Sequence, residues 1–368
     1  MIKRFVLLAL IAALLLIPQI TYAQDKITVL DSNAQVVFPS ALIFNIKAQS
    51  ITDITRIRIH YQVDRMDYAQ VTNEAWPEFT PAPAVQAKWT WDMRKVILPV
   101  PVGAKVKYWW TIENKFGNKL TTPANEVRFD DLRYAWKSLT QGQITLLWYS
   151  GSPSFTRDLM AASQAALERL TNDTGVYLDK PVSIYVYASQ QDLLGATVFP
   201  REWTGGEARP DYGIIIIAIS AGDTEGGKGG LSHELGHLVT HQVTFGPYGA
   251  LLPTWLDEGL AMHAQGKPEP YFQAVLKKTF VENKLFSVRS LSSAFSARTE
   301  EALISYAESQ SLVEFLIQNY GKDKMLRLLN IFKDGSTTDD ALMEVYGFDQ
   351  DGLEKLWRAT LTSLAEPK

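Results

Sequence analysis

The run L-S-H-E-L-G-H-L-V-T-H-Q-V at Leu231–Val243 carries His233, His237 and His241 in a chain with only 5 histidines. If the run is helical, each residue turns the axis by about 100°, so His233 and His237 point the same way within roughly 40° and lie one turn apart. Two imidazoles placed like this can share a divalent ion at about 2.0 to 2.1 Å each. Glu234 is placed to take a proton from a water beside that ion rather than to bind it. A base next to a Lewis acid is equipped for hydrolysis. A chance match on a buried helix would instead leave these side chains as hydrogen-bonded core groups.

Two histidines do not close a tetrahedral site, and without cysteine only nitrogen and oxygen ligands are available. Glu258 is the best candidate for the third. The stretch Leu238–Asp257 leaves room for the helix to end, for the chain to reverse through Phe245-Gly246-Pro247-Tyr248-Gly249, and for a second helix to start after Pro253-Thr254. His241 shares the face of the other two but lies roughly 12 Å of helical rise beyond His233, too far to join the same ion. The metzincin pattern needs Gly at 240 and His at 243, where this chain has Thr240 and Val243. His263, about 140° round the second helix from Glu258, flanks the site rather than ligating it.

H-E-L-G-H followed by W-L-D-E-G-L-A resembles the gluzincin zinc metallopeptidases, in particular the peptidase MA-like group. The resemblance covers residues 131–368. It implies Zn2+ held by His233, His237 and Glu258, with Glu234 as the general base of peptide-bond hydrolysis. It also implies that the strand before the metal helix, around Gly213–Ala218, forms the sheet edge on which an extended substrate adds as a further strand; a buried strand without substrate contact is the alternative. The run from Tyr306 to Gly321 resembles the tyrosine-bearing helix of this group. Tyr306 is then a candidate donor to the oxyanion, or else a core tyrosine. The G-x-M-x-N run of related aminopeptidases is absent, so an endopeptidase is preferred. Met262 stands where thermolysin-like enzymes carry a histidine-orienting aspartate, and Asp257 either takes that task or is simply solvated.

These groups need a scaffold. A chain of 368 residues, 46% hydrophobic and 21% charged, is ordinary globular material of two-domain size. Lys3 and Arg4 followed by the apolar run Phe5–Ile17 and the small-residue site Thr21-Tyr22-Ala23 read as a signal peptide over residues 1–23. The run is shorter than the ~20 residues a spanning helix needs, so no stable membrane insertion is expected after cleavage. The mature protein is expected to be secreted or periplasmic. With a net charge of −4 and no basic patch, no nucleic-acid partner is expected.

Over residues 24–130 the pattern has period two: Ile57, Ile59, Tyr61 and Val63 share a face, as do Tyr108, Trp110 and Ile112. Short strands punctuated by prolines predict an antiparallel β-sandwich of immunoglobulin or fibronectin type. The multidomain fold expected is that sandwich, then a hinge at Asp130–Arg133, then an α+β zincin-like peptidase domain with a helical C-terminal part. Strands near Gln143–Trp148, Val182–Tyr187 and Tyr212–Ser220, and a helix over Ser154–Leu170, are expected first in that domain. Gly226–Gly230 reads as a flexible lead into the metal helix or a mobile rim, because Lys228-Gly229 fails the phosphate-loop pattern. Later helices run from Glu300 to a stop at Gly321, over Lys322–Phe332 and Asp339–Tyr346, and from Asp351, opening with the capping-box spacing to Glu354. The competing reading is an exported binding protein, with Trp76, Trp89, Trp91 and Trp109 on the sandwich surface holding a polymer or protein and the zinc site structural or inert.

Overall fold

The computed structural model describes residues 26–199, 205–248 and 251–365. The expected signal segment 1–23 lies outside the described residues. The first unit is antiparallel β, as its alternation requires. Its strands are β1 (Thr28–Val37), β2 (Ala41–Val63), β3 (Asn73–Ala75), β4 (Ala82–Asp92), β5 (Lys105–Asn114), β6 (Lys119–Thr121) and β7 (Asn125–Arg128), all hydrogen-bonded into one sheet. The long β2 pairs with β1 and β4 through its first half and with β3 and β5 through its second, its register shifting between Gln49 and Ile54. Phe44 from the first half meets Tyr108 of β5 at 4.9 Å, so both halves bury one core with Ile57, Ile59, Trp110 and Ile112. Trp89 and Trp91 pack with Tyr61, and Trp109 stacks on His60, whereas Trp76 stays exposed.

Asp131, in the expected hinge segment, is anchored to the second unit. Its buried carboxylate takes the Arg133 guanidinium at 2.7 Å and the Tyr187 hydroxyl at 3.1 Å. The second sheet has the order β11-β12-β10-β9-β8, formed by β8 (Lys137–Gln141), β9 (Ile144–Trp148), β10 (Val182–Tyr187), β11 (Gly206–Arg209) and β12 (Ile214–Ala218). The central three are parallel and the two edges antiparallel. Here the expectation for Gly213–Ala218 is corrected: Ile214–Ala218 is an interior strand, and the edge beside the metal helix is β11. The four consecutive isoleucines of β12 are buried on both faces, which an edge strand would not allow.

One face of this sheet is covered by helices. The covering helices are α1 (Pro153–Thr174), capped by Ser152 and closed by Gly175 at φ 78°, α3 (Thr224–Val243) and α4 (Thr254–Gln265), whereas the short α2 (Gln190–Leu194) lies on the other face, its Leu193 packed with Tyr185, Ile214 and Ile216. Leu231, Leu235, Leu238 and Val239 of α3 bury a stripe at helical spacing. Gly226–Gly230 turn out to be helical, with Asp223 capping the Gly226 N–H at 3.2 Å. Each glycine costs a helix about 1 kcal/mol relative to alanine, so packing must hold this turn. A Cβ at Gly227 would lie 2.2 Å from Ile219, which explains one of the glycines by close approach to the strand end.

The remaining helices are α5 (Pro270–Val281), α6 (Val288–Leu291), α7 (Thr299–Lys333), α8 (Thr338–Tyr346) and α9 (Gln350–Ala365). The stop expected at Gly321 is a break within α7, where φ is 78°. The cap of α9 is Asp349, which accepts the Gly352 N–H at 2.9 Å, in place of the Asp351 to Glu354 box; Glu354 instead accepts the Val288 N–H at 3.0 Å. No helix among the described residues is long and apolar enough to cross a membrane.

Candidate metal centre

The buried leucine stripe of α3 turns His233 and His237 toward α4, which crosses close by because two glycines let it. A Cβ at Gly236 would sit 2.8 Å from the Ala261 Cα, and one at Gly259 would sit 2.4 Å from the Ser309 carbonyl oxygen on α7. The glycines of H-E-L-G-H and E-G-L-A are thus contact points that bring three helices together around the site.

At that crossing His233 Nε2 and His237 Nε2 lie 3.1 Å apart, and Glu258 Oε2 lies 3.3 and 3.4 Å from them. A tetrahedral ion with bonds of 2.0 to 2.1 Å has ligand-to-ligand edges of about 3.3 to 3.4 Å. The triangle fits. Glu258 Oε2 is buried without a hydrogen-bond partner, facing two ring nitrogens, an arrangement a cation completes. Burial pushes the Glu258 carboxyl up, but the His233 and His237 rings facing it outweigh burial and hold the group down at about 2. Burial likewise works against charge on His237, yet the Asp257 and Glu258 carboxylates keep it well above the usual imidazole range.

The second ring nitrogens are held as well. His237 Nδ1 lies 3.0 Å from Asp257 Oδ1, whose other oxygen is 3.1 Å from His241 Nε2. Asp257 therefore orients His237 rather than being simply solvated, and His241 stays off the triangle as its helical rise demands. The Gln265 side-chain amide lies 2.9 Å from His233 Nδ1. Sequence reasoning missed Gln265; its signal was position, since it stands about two turns beyond Glu258 on the same helix face. Carboxylates behind metal-bound histidines typically contribute 10- to 100-fold in affinity. Asp257→Ala is expected to weaken zinc binding by about that factor, read by competition with a chelating dye; unchanged affinity would show that Asp257 does not hold the ring.

Glu234 sits on the side of the triangle that faces β11. Burial pushes its carboxyl up, His237 and His233 pull it down, and the Ala208 backbone hydrogen bond also favours the charged form, leaving it raised overall. Gly206 is why it fits: a Cβ there would be 3.0 Å from Glu234 Cγ. A cavity of about 490 Å³ opens at Glu234 and is lined by Gly206, Ser220 and Gly230. The Tyr306 ring on α7 stands edge-on to His233 at 6.2 Å and against Phe295 at 5.3 Å. Burial, then Glu258 and Glu234, push its hydroxyl up to about 12, so it stays a donor at neutral pH. His263 lies apart, 2.8 Å from Glu314 and 3.0 Å from Asp173.

A family model described as the Peptidase MA superfamily matches residues 161–363, a span containing α3, α4 and α7. No curated protein matches the chain. Among solved structures the chain is similar to a catalytically inactive OgpA from Akkermansia muciniphila in complex with an O-glycopeptide, at 8% identity over 30% of this chain and 31% of that one, with a TM-score of 0.23. It is also similar to a family 56 carbohydrate-binding module that binds β-1,3-glucan, at 16% identity over 28% of this chain and 99% of that one, TM-score 0.17. A bromine derivative of BhCBM56 aligns at 10% identity over 26% of this chain and 88% of that one, TM-score 0.19. Likenesses this low carry no argument.

Proposed function

The chain belongs to the Peptidase MA superfamily over residues 161–363, and from that membership we propose an exported, zinc-dependent metallopeptidase of the gluzincin kind, acting as an endopeptidase. The observation that carries the reading is the triangle of His233, His237 and Glu258, with ligand atoms 3.1 to 3.4 Å apart and a buried carboxylate oxygen lacking any other partner. Zinc held by His233, His237 and Glu258 would supply Lewis acidity, which makes water a nucleophile near neutral pH and polarises a carbonyl.

The chain's own residues do the rest. Glu234 accepts the proton of the attacking water and hands it to the leaving amine, a transfer its raised carboxyl pKa favours. The Tyr306 hydroxyl donates to the oxygen that gains charge. Asp257 and Gln265 keep the two imidazoles aimed. The outer edge of β11 takes the substrate backbone as an added strand beside Glu234. Residues 1–23 direct export and are then removed, and residues 24–130 form a sandwich of immunoglobulin or fibronectin type in which the two halves of β2 serve opposite layers.

The test is metal analysis of the mature chain together with a peptide-library and casein digest, with and without chelator. The expected outcome is one zinc per chain and cleavage that chelation stops and zinc restores. Stoichiometric zinc with no cleavage of any substrate would overturn the peptidase reading in favour of the binding protein.

A further inference from the structure

A second cavity, of about 460 Å³, lies on the opposite side of β11 from the helices, between that strand and the N-terminal unit. Its walls are Leu98, Val100 and Val102 from the first unit, and Val198, Phe199 and Ile216 from the second. Gly206 lines this cavity and the one at Glu234 alike. We infer that this interdomain cleft is the pocket that selects substrate side chains, so that the N-terminal unit is a wall of the substrate site, and that the pocket takes an apolar side chain of an extended polypeptide. The inference rests on the peptidase reading and specifies its substrate.

In an extended chain successive side chains point to opposite faces, so a peptide added to β11 with its carbonyl near Glu234 must present alternate side chains to the far face of the sheet. On that face stands this cleft. Its floor is apolar, with Ile216, Val100 and Val102 all buried. At its mouth Leu98 is 68% and Phe199 73% exposed, although large apolar side chains gain by burial. The two charged side chains that also line the cleft, Glu207 and Arg209, are engaged: Arg209 donates to the Pro99 carbonyl at 3.1 Å and lies 3.7 Å from Glu207.

The wall is also fixed in place. Gly103, at φ 81°, lies so close to the Tyr185 hydroxyl that a Cβ would approach it to 2.1 Å, and Val102 is buried against Tyr185, Ile214 and Ile216. Together with the Arg209 bond to Pro99, these contacts hold the loop against the sheet. A side chain entering the cleft therefore meets a surface formed in advance, which is what selectivity requires.

The experiment compares the zinc-loaded mature chain with Leu98→Asp and with Ile97→Asp, whose side chain is 99% exposed and does not line the cleft. A peptide-library digest of the wild type is expected to favour apolar residues at one position near the cut bond. Leu98→Asp is expected to lower kcat/KM for those peptides about tenfold or more, through KM, and to remove the preference at that position alone. Ile97→Asp is expected to leave the profile intact. The same three backgrounds carrying Glu234→Gln are then titrated with fluorescein-labelled peptides by anisotropy, a readout that does not need turnover. Cleavage with a profile unchanged by Leu98→Asp overturns this inference alone. Absence of cleavage with a Leu98-dependent binding preference overturns the peptidase reading alone, and absence of both overturns both.

Discussion

Glu234→Gln is expected to leave zinc at one equivalent per chain and to lower kcat for peptide hydrolysis by about 10²- to 10⁴-fold, the usual contribution of a positioned general base. The substitution keeps the shape of the side chain in a place with little room, where Gly206 already stands close to Glu234 Cγ. It removes only the ability to accept a proton. Retained metal follows because Glu234 is not part of the triangle formed by His233, His237 and Glu258. The measurement is metal content by mass spectrometry beside steady-state rates on one fluorogenic peptide. A variant that keeps metal and cleaves at the wild-type rate would remove Glu234 from the mechanism.

Glu258→Ala is expected to abolish stable zinc binding and, with it, all metal-dependent hydrolysis. Two imidazoles alone leave the tetrahedral site half made, and among the described residues Glu258 is the carboxylate grouped with both His233 and His237, whereas Asp257 faces the outer nitrogen of His237 and bridges to His241. Stability should report the same loss. A ligand that binds only the folded state stabilises it by about 2.7 kcal/mol at a hundred times its Kd and about 4.1 at a thousand times. For a domain of this size that corresponds to a zinc-induced rise in Tm of roughly 5 to 15 °C in the wild type, and to none in Glu258→Ala. Full zinc occupancy in the variant would place the third ligand elsewhere.

The parts of the site that were legible in advance are those governed by local geometry. His233 and His237 converge because residues four apart on a helix share a face whatever surrounds them. The end of α3 before Phe245 and the restart near Pro253 follow from residues that cannot continue a helix, and α4 begins at Thr254, one residue before the start expected after Pro253-Thr254. The strand pattern of the first unit was readable for the same reason: Tyr108, Trp110 and Ile112 alternate and are buried together.

Other features depended on which elements pack together. The edge role passed from Ile214–Ala218 to Gly206–Arg209 because strand order is decided by long-range pairing, and a four-residue strand leaves almost no periodic trace. The glycines of residues 226–230 looked flexible by composition, yet they lie in α3, where the Ile219 side chain leaves no space for a Cβ at Gly227. Asp257 was ambiguous until α4 came to lie across α3.

From its sequence alone this protein had its two histidines, their neighbouring acid and the succession of β and α regions determined, since each of these follows from periodicities set within a few residues. Glu258 was named from its E-G-L-A run, but tertiary structure alone decided that Asp257 and Gln265 stand behind the two rings and that the N-terminal unit closes over the far side of β11. The reason is that such contacts join residues far apart in the chain, where no backbone period links one position to the other and only the packing of whole elements sets the distance.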